Sequence, residues 1–247
     1  MTVSTNLLVG AMASLLAGFA QGTAGFGFAL VLTPLLLLLG GIRPAVFTSL
    51  ALGLPLSAAV VWQTRCRLTR RTLLPLLFAA ALATPVGFWL LATMSPLTLR
   101  EVAVAVAFVG AILLLLYRPR PLATAASGRL LVAAGLLGGL LNGATGMGGP
   151  PAALLVAAEG RSLQEARGLL SAFNLVSYAF TSGALLLAHR VSDSVVGEAL
   201  IWLPFAVLGM GLGSAVARIA PTAAYPKIAA LTAAGAATLA LLVFFLP

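Results

Sequence analysis

Charged side chains are scarce in this chain: they make up 8% of its 247 residues, and only five are acidic. Hydrophobic residues account for 61%, and charge-free apolar runs follow one another along the sequence, which excludes an ordinary water-soluble domain of this size. The runs lack the alternating segments of about ten residues that mark a membrane β-barrel. The composition therefore predicts an all-α polytopic membrane protein, with residues 1–247 forming a single membrane domain.

Reactive side chains are equally scarce. The chain has one cysteine, Cys66, and one histidine, His189, so neither an internal disulfide nor a histidine cluster can form. Paired carboxylates, a Gly-x-Ser-x-Gly sequence and a Walker sequence are all missing, and the acidic residues lie at or near the ends of the predicted spans. We therefore expect no catalytic residue, no metal ligand and no cofactor, and no proton carrier inside the membrane.

The net charge of +9 comes from basic residues in the short connections between apolar runs. Cytoplasmic loops of membrane proteins collect Lys and Arg in this way, so we expect membrane lipid, and not nucleic acid, as the partner of this charge. We expect the binding site itself to contain no membrane-embedded Lys or Arg. The first apolar segment lacks the positively charged start of a secretory signal, so we expect it to remain as the first membrane segment.

Glycine is abundant, with 26 residues, and it interrupts two apolar runs in the same way. The two stretches are GFAQGTAGFGFA at 18–29 and GLLNGATGMGGP at 139–150, and a shift of 121 positions aligns four glycines and places Gln21 on Asn142. A polar, proline-containing linker at 117–129 divides the chain almost equally. We therefore expect two repeats of one unit, residues 1–117 and residues 129–247.

Each predicted repeat contains one glycine-broken stretch and three ordinary spans of about 20 residues, the length that crosses a hydrocarbon core of about 30 Å. Folding each broken stretch into a hairpin of two short helices places eleven basic residues on one side of the membrane and three on the other, whereas single crossings give eight and six. The predicted broken stretches are about 5–40 and 130–158, and the spans are about 44–63, 73–93, 98–117, 165–187, 196–217 and 225–246.

The uneven distribution of basic residues favours the hairpins. A repeat with one hairpin and three crossings has odd parity, so the second repeat would insert upside down relative to the first. Such inverted-topology repeats are typical of secondary transporters, and their hairpin tips would approach each other near the membrane midplane. Two complete short crossings give the same parity, so re-entrant and fully crossing hairpins remain alternatives.

The glycine-rich tips predict a binding site for an anion. A helix that leaves a tip exposes free backbone N–H groups and the positive end of its dipole, and glycine lets an anion approach the backbone closely. Close helix packing is the alternative role for the glycines. The candidate substrate-binding residues are Gln21, Gly22, Thr23, Gly25, Phe26, Gly27, Asn142, Gly143, Thr145, Gly146, Met147, Gly148, Gly149, Ser49, Ser171 and Asn174.

Two features of this set leave alternatives open. Ser171 and Asn174 are three residues apart, with Tyr178 one turn further on, so they share a helix face that would line a pathway or form a structural polar seam. Phe26 and Met147 occupy equivalent repeat positions and would act either in packing or as gating groups. Because Gly25 and Gly146 are also equivalent, we expect substitutions at these two glycines to have similar effects.

The paired glycine-rich stretches resemble those of the sulfite exporter TauE/SafE family. The sequences that carry the resemblance are GFAQGTAGFGFALVLTPLL at 18–36 and GLLGGLLNGATGMGGPPAALL at 135–155. The resemblance implies a transporter of sulfite or small organosulfonates in the cytoplasmic membrane of a bacterium. We expect alternating access, and the sequence leaves open the direction of transport and whether a proton or a sodium ion is coupled to it. A passive anion channel, a carrier of another small organic anion, and a membrane-embedded enzyme or assembly subunit are the alternatives.

Overall fold

The computed structural model describes residues 3–37, 39, 41–64, 70–116, 128–187 and 193–221, together with 227–228, 231–232, 234–235 and 238. Within these residues every regular element is an α-helix, which confirms the predicted fold class. Most of the predicted linker, most of the last predicted span and Cys66 lie outside the described residues.

Nine helices are described, and the predicted spans among them agree with the observed bounds within three residues at each end. Six of the nine are long and apolar enough to cross a membrane. The helices of the first half are α1 (Val3–Ala24), α2 (Phe28–Leu36), α3 (Ile42–Thr64), α4 (Arg70–Thr93) and α5 (Pro96–Leu116). Those of the second half are α6 (Gly128–Thr145), α7 (Gly149–Ala158), α8 (Leu163–Leu187) and α9 (Asp193–Ile219).

The glycine-rich stretches break the chain where the sequence predicts, between α1 and α2 and between α6 and α7. The second arms, α2 and α7, have 9 and 10 residues, so they extend only about 15 Å and are too short to cross a membrane. The first arms have 22 and 18 residues, so the expectation of two short helices is wrong for them. The reason is that the glycine break falls past the middle of each broken stretch, which leaves the longer part to the first arm.

Glycine sets the closest helix contacts in the molecule. A side chain on Gly18 would collide with the backbone oxygen of Ala206, and one on Gly22 would collide with the backbone oxygen of Met210. These contacts hold α1 against α9, and because residue numbers rise together along both helices, the two run parallel. Small residues at such crossings let helix backbones approach closely and pack in lipid, where the hydrophobic effect contributes little.

The second half makes the same kind of contact with exchanged partners. Gly139 and Gly143, the equivalents of Gly18 and Gly22, lie against the backbone oxygens of Ala80 and Thr84 in α4. The spacing of four residues is the same on all four helices. The first helix of each half therefore packs against the fourth helix of the other half.

Helices α3 and α8, which correspond under the shift of 121, pack against each other in opposite directions. Gly53 of α3 lies against the ring of Tyr178 of α8. One turn later on α3, Ser57 lies near Ser171, because the Gln21 amide approaches both hydroxyls, and Ser171 comes before Tyr178 on α8. Residue numbers therefore rise on one helix while they fall on the other.

The surface and the interior have the polarity expected in lipid. Large apolar side chains are exposed on the outer faces, among them Phe78 and Trp89 of α4 and Leu200 of α9. Polar side chains are instead buried, and Gln21 and Asn142 are both 0% exposed. Polar groups buried in a membrane protein are costly and commonly belong to binding sites, so the candidate site lies in the interior between the helices.

Candidate functional site

The first hairpin tip is a sharp reversal made by two glycines in left-handed conformation. Gly25 has φ of 77° and Gly27 has φ of 97°, a region that side chains other than glycine rarely adopt. The Gly25 N–H still donates to the Gln21 carbonyl of α1 at 2.9 Å, and the first bond of α2 runs from the Val31 N–H to the Gly27 carbonyl at 3.0 Å. The N–H groups of the first turn of α2 therefore have no acceptor within the helix.

The second tip resembles the first but offers fewer donors. Gly146 has φ of 75°, and its N–H donates to the Asn142 carbonyl at 2.8 Å, as Gly25 does to Gln21. Helix α7 then begins Gly149, Pro150, Pro151, and proline has no N–H. The α7 N-terminus thus presents fewer backbone donors than the α2 N-terminus, and the two tips are not chemically equivalent.

The two tips meet inside the molecule. A Cβ atom added to Gly149 would lie 2.9 Å from the Phe26 ring, and a Cβ atom added to Gly146 would lie 3.6 Å from the Ala29 Cβ. Between them is a cavity of about 10 Å³, enough for about one water molecule. It is lined by Phe26, Gly27, Leu30, Gly146, Met147, Gly149, Pro150, Asn174 and Tyr178. Five of the predicted tip residues and Asn174 therefore share one cavity.

A cluster of buried polar groups surrounds the Gly25 carbonyl. The Ser171 hydroxyl donates to this oxygen at 3.0 Å, the Asn174 amide at 3.4 Å and the Gln21 amide at 3.3 Å. The Gln21 amide also approaches the hydroxyls of Ser57 and Ser171 at 3.2 and 3.5 Å. The amide oxygens of Gln21 and Asn174 accept no hydrogen bond from the described residues, so each can accept one from a donor group.

Ser57 belongs to this cluster although the sequence analysis did not select it. It is 0% exposed and approaches Gln21 from α3. It lies eight residues after Ser49 with Gly53 between them, so the three residues share one helix face at intervals of four. That periodicity is the sequence feature by which Ser57 could have been found.

Polar groups near the second tip are arranged differently. The Asn142 amide donates to the Thr181 hydroxyl at 3.1 Å, and its own oxygen has no partner among the described residues. The Thr145 hydroxyl bonds the Leu141 carbonyl at 2.8 Å and accepts from the Met147 N–H at 3.3 Å. Asn142 thus turns to α8, whereas Gln21 turns to its own tip.

Other predicted residues make contacts within or between helices. Ser49 accepts from the Thr33 hydroxyl at 2.9 Å and joins α2 to α3, while Thr23 bonds backbone carbonyls of its own helix. Gly22 and Gly143 lie in the helix crossings described above, and a side chain on Gly148 would meet the Gly138 backbone. For these glycines the packing alternative describes what the structure shows.

Arg167 bears on the expectation of a site without an embedded Lys or Arg, because it packs against the first tip. It lies within α8 and is 2% exposed. Its guanidinium donates to the Gln164 side chain at 2.8 Å and to the Ser214 hydroxyl at 3.1 Å, and its backbone packs directly on Gly25. The predicted span 165–187 already includes Arg167 near its start, and the structure adds that its side chain is buried because α9 covers it.

Comparison with known proteins agrees with this architecture. The family model described as sulfite exporter TauE/SafE matches residues 10–241, a range that includes both hairpin tips and all of the buried polar residues around them. No curated protein matches the chain. With nearly the whole length matched, the chain belongs to the sulfite exporter TauE/SafE family, whose members are membrane transporters of sulfur anions such as sulfite and not enzymes.

Proposed function

We propose that this protein is a secondary transporter that carries a small sulfur-containing anion, sulfite or an organosulfonate, across the bacterial cytoplasmic membrane by alternating access. The observation that supports this most directly is the shared cavity, to which both hairpin tips and α8 contribute. Binding sites of transporters with broken helices lie where such tips meet. An anion at that point would contact both halves of the molecule and would hold them in a defined arrangement.

The anion is bound by the N-terminus of α2 in this proposal. The backbone N–H groups of Phe28, Ala29 and Leu30 lie in the first helical turn, where the positive end of the helix dipole favours negative charge. The cavity itself holds only about one water, so Phe26 and Met147, both at most 2% exposed, have to move aside for an oxyanion. These two side chains are therefore the gating groups of the proposed site.

The order of helix contacts supports an inverted repeat of residues 1–117 and 129–247. Helices α3 and α8 correspond in the two halves and pack in opposite directions, and α1 and α6 exchange the partners α9 and α4. Opposite insertion of two equivalent halves gives a site that opens to either side when one half rocks against the other. Alternating access follows from this arrangement.

Flux through purified protein in liposomes tests the proposal. Sulfite and methanesulfonate should enter liposomes that contain the protein much faster than they enter protein-free liposomes. Choline should enter both at the same rate. Unlabelled sulfite inside the liposomes should accelerate uptake of labelled sulfite, because a carrier with substrate bound reorients its site to the outside faster than an empty one. A channel does not show this acceleration. Imposed proton and sodium gradients identify the coupling ion. Equal movement of choline, without a response to sulfur anions, contradicts the proposed function.

A further inference from the structure

We infer that Arg167 is the fixed positive charge of an anion-entry site at the start of α8, one helical turn before the polar face that leads to the cavity between the tips. The inference rests on the proposed transport function. It adds a charged residue to a site that the sequence predicts to be built from neutral donors.

The first observation is that Arg167 pairs with no carboxylate among the residues that the structure describes. Of the four carboxylates whose side chains the structure describes, Glu159 pairs with Arg161, Glu165 bonds Ser162, and Glu101 and Glu198 are exposed. The two bonds of the Arg167 guanidinium go to neutral side chains, and its Nε has no partner among the described residues. Burying a charge without an opposite charge carries a large desolvation cost, which an anionic ligand at this position would offset.

The second observation is the position of Arg167 on α8. Arg167, Ser171, Asn174 and Tyr178 follow one another at intervals of four, three and four residues, so they share one helix face, and all four are at most 2% exposed. The last two line the cavity between the tips. Arg167 therefore occupies the same buried polar face of α8 as the two residues that line the cavity, two to three turns before them.

The equivalent helix α3 has an apolar residue or glycine at three of these four positions and Ser57 at the fourth. A shift of 121 positions relates Arg167, Ser171 and Asn174 to Val46, Leu50 and Gly53 of α3, which bring no polar side chain to the second tip. The polar approach thus exists at one end only, the end of α8 that the basic-residue count places on the cytoplasmic side. Packing alone does not require such a difference between equivalent helices.

The chemistry of the group suits a sulfur oxyanion. A guanidinium presents several N–H donors in one plane and binds two oxygens of an oxyanion side by side. Arg218 lies close enough to Arg167 to repel it, which adds to the positive potential. An oxyanion would bind at the unpartnered Nε, exchange the neutral bonds to Gln164 or Ser214 for charged ones, and then move along α8 to the tips.

Substitution of Arg167 tests the inference through the concentration dependence of sulfite uptake into proteoliposomes. Arg167→Gln should raise KM about tenfold or more and change kcat less, because a charge-assisted bond is lost, while Arg167→Lys should keep KM within about threefold. Arg161→Gln is the matched control, because it also removes one positive charge near the start of α8, but from a residue that pairs with the carboxylate of Glu159. In this variant KM for sulfite should not change. A folded Arg167→Gln variant with wild-type KM overturns the inference.

Gln164→Glu provides a second test that keeps the arginine. The substitution keeps the size of the side chain and places a carboxylate where the Gln164 oxygen now accepts from Arg167 at 2.8 Å. It removes the hydrogen bond that the Gln164 amide donates to the Ala217 carbonyl. The variant should fold, raise KM for sulfite about tenfold, and lose the sulfite-induced increase in melting temperature. A folded variant with unchanged KM contradicts the role of Arg167. Failure of the wild-type protein to transport sulfite or methanesulfonate contradicts the proposed function instead.

Discussion

Gly25 is required at its position for two separate reasons. Its φ of 77° lies in the left-handed region, and a side chain there would collide with the backbone of Arg167. Gly146 shares the first requirement, with φ of 75°, but its nearest neighbours are side-chain carbons 3.6 to 3.9 Å away. The sequence repeat therefore predicts equivalent glycines where the structure shows unequal ones. The difference arises because Arg167 and Val46, which face the two tips, pack at different distances.

Alanine substitution should separate these two glycines. Gly146→Ala should lower the stability of the purified protein by about 1–2 kcal/mol, the cost of a left-handed alanine, and Gly25→Ala should lower it further because of the backbone collision. Gly211→Ala in α9 is the control, since the described residues leave open space there and alanine is favoured in a helix by up to about 1 kcal/mol. Thermal unfolding in detergent measures all three. Equal losses at residues 25 and 146 would support the simple repeat and contradict the asymmetry.

At the scale of elements, α8 is the helix that brings the site together. Its buried face contacts the first tip through Ser171 and Asn174, bonds Asn142 of α6 through Thr181, and reaches α9 through Arg167. The equivalent helix α3 contributes Ser57 to the same cluster and Ser49 to a bond with α2. The predicted pathway face on α8 thus lies against the first tip, although its role in transport stays a prediction.

A pair of buried serines distinguishes the site from the framework. Ser171→Ala removes the hydroxyl bond that holds the Gly25 carbonyl of the first tip, so the N–H groups of α2 lose a support and KM for sulfite should rise about fivefold, the equivalent of about 1 kcal/mol. Ser49→Ala should lower stability by a similar amount and leave KM unchanged, since its bond to Thr33 joins α2 to α3 away from the cavity. Uptake kinetics and thermal unfolding measured on both variants check this. A higher KM in Ser49→Ala alone would place the site elsewhere.

At the scale of the whole molecule, topology is the property that the proposal depends on most. The reciprocal packing of α1 with α9 and of α6 with α4 relates the two halves to each other, whereas the orientation of the molecule in the membrane rests on the count of eleven basic residues against three. The two arguments are independent. Together they predict that residue 66 faces the cytoplasm.

Thiol labelling tests this orientation. Cys66, the only cysteine of the chain, should resist an impermeant thiol reagent in intact cells and react after permeabilisation. A cysteine at residue 5, introduced as Thr5→Cys in a Cys66→Ser background, should react from outside. Labelling of Cys66 in intact cells, or protection of the residue-5 cysteine until permeabilisation, would reverse or exclude the proposed inverted arrangement.

The sequence by itself determined the helical class, most helix bounds and the two glycine breaks, because apolar runs of about 20 residues and glycines within them act through local backbone and solvent preferences. Tertiary structure alone decided which glycines turn and which pack: Gly25 and Gly22 are three residues apart, yet one forms the tip and the other meets Met210 of a distant helix. It also decided that Arg167 is buried and that Ser57 joins Gln21, since these contacts connect residues far apart in the chain. Local pattern carries no information about which helix faces another, and in this protein that pairing sets the chemistry around each tip.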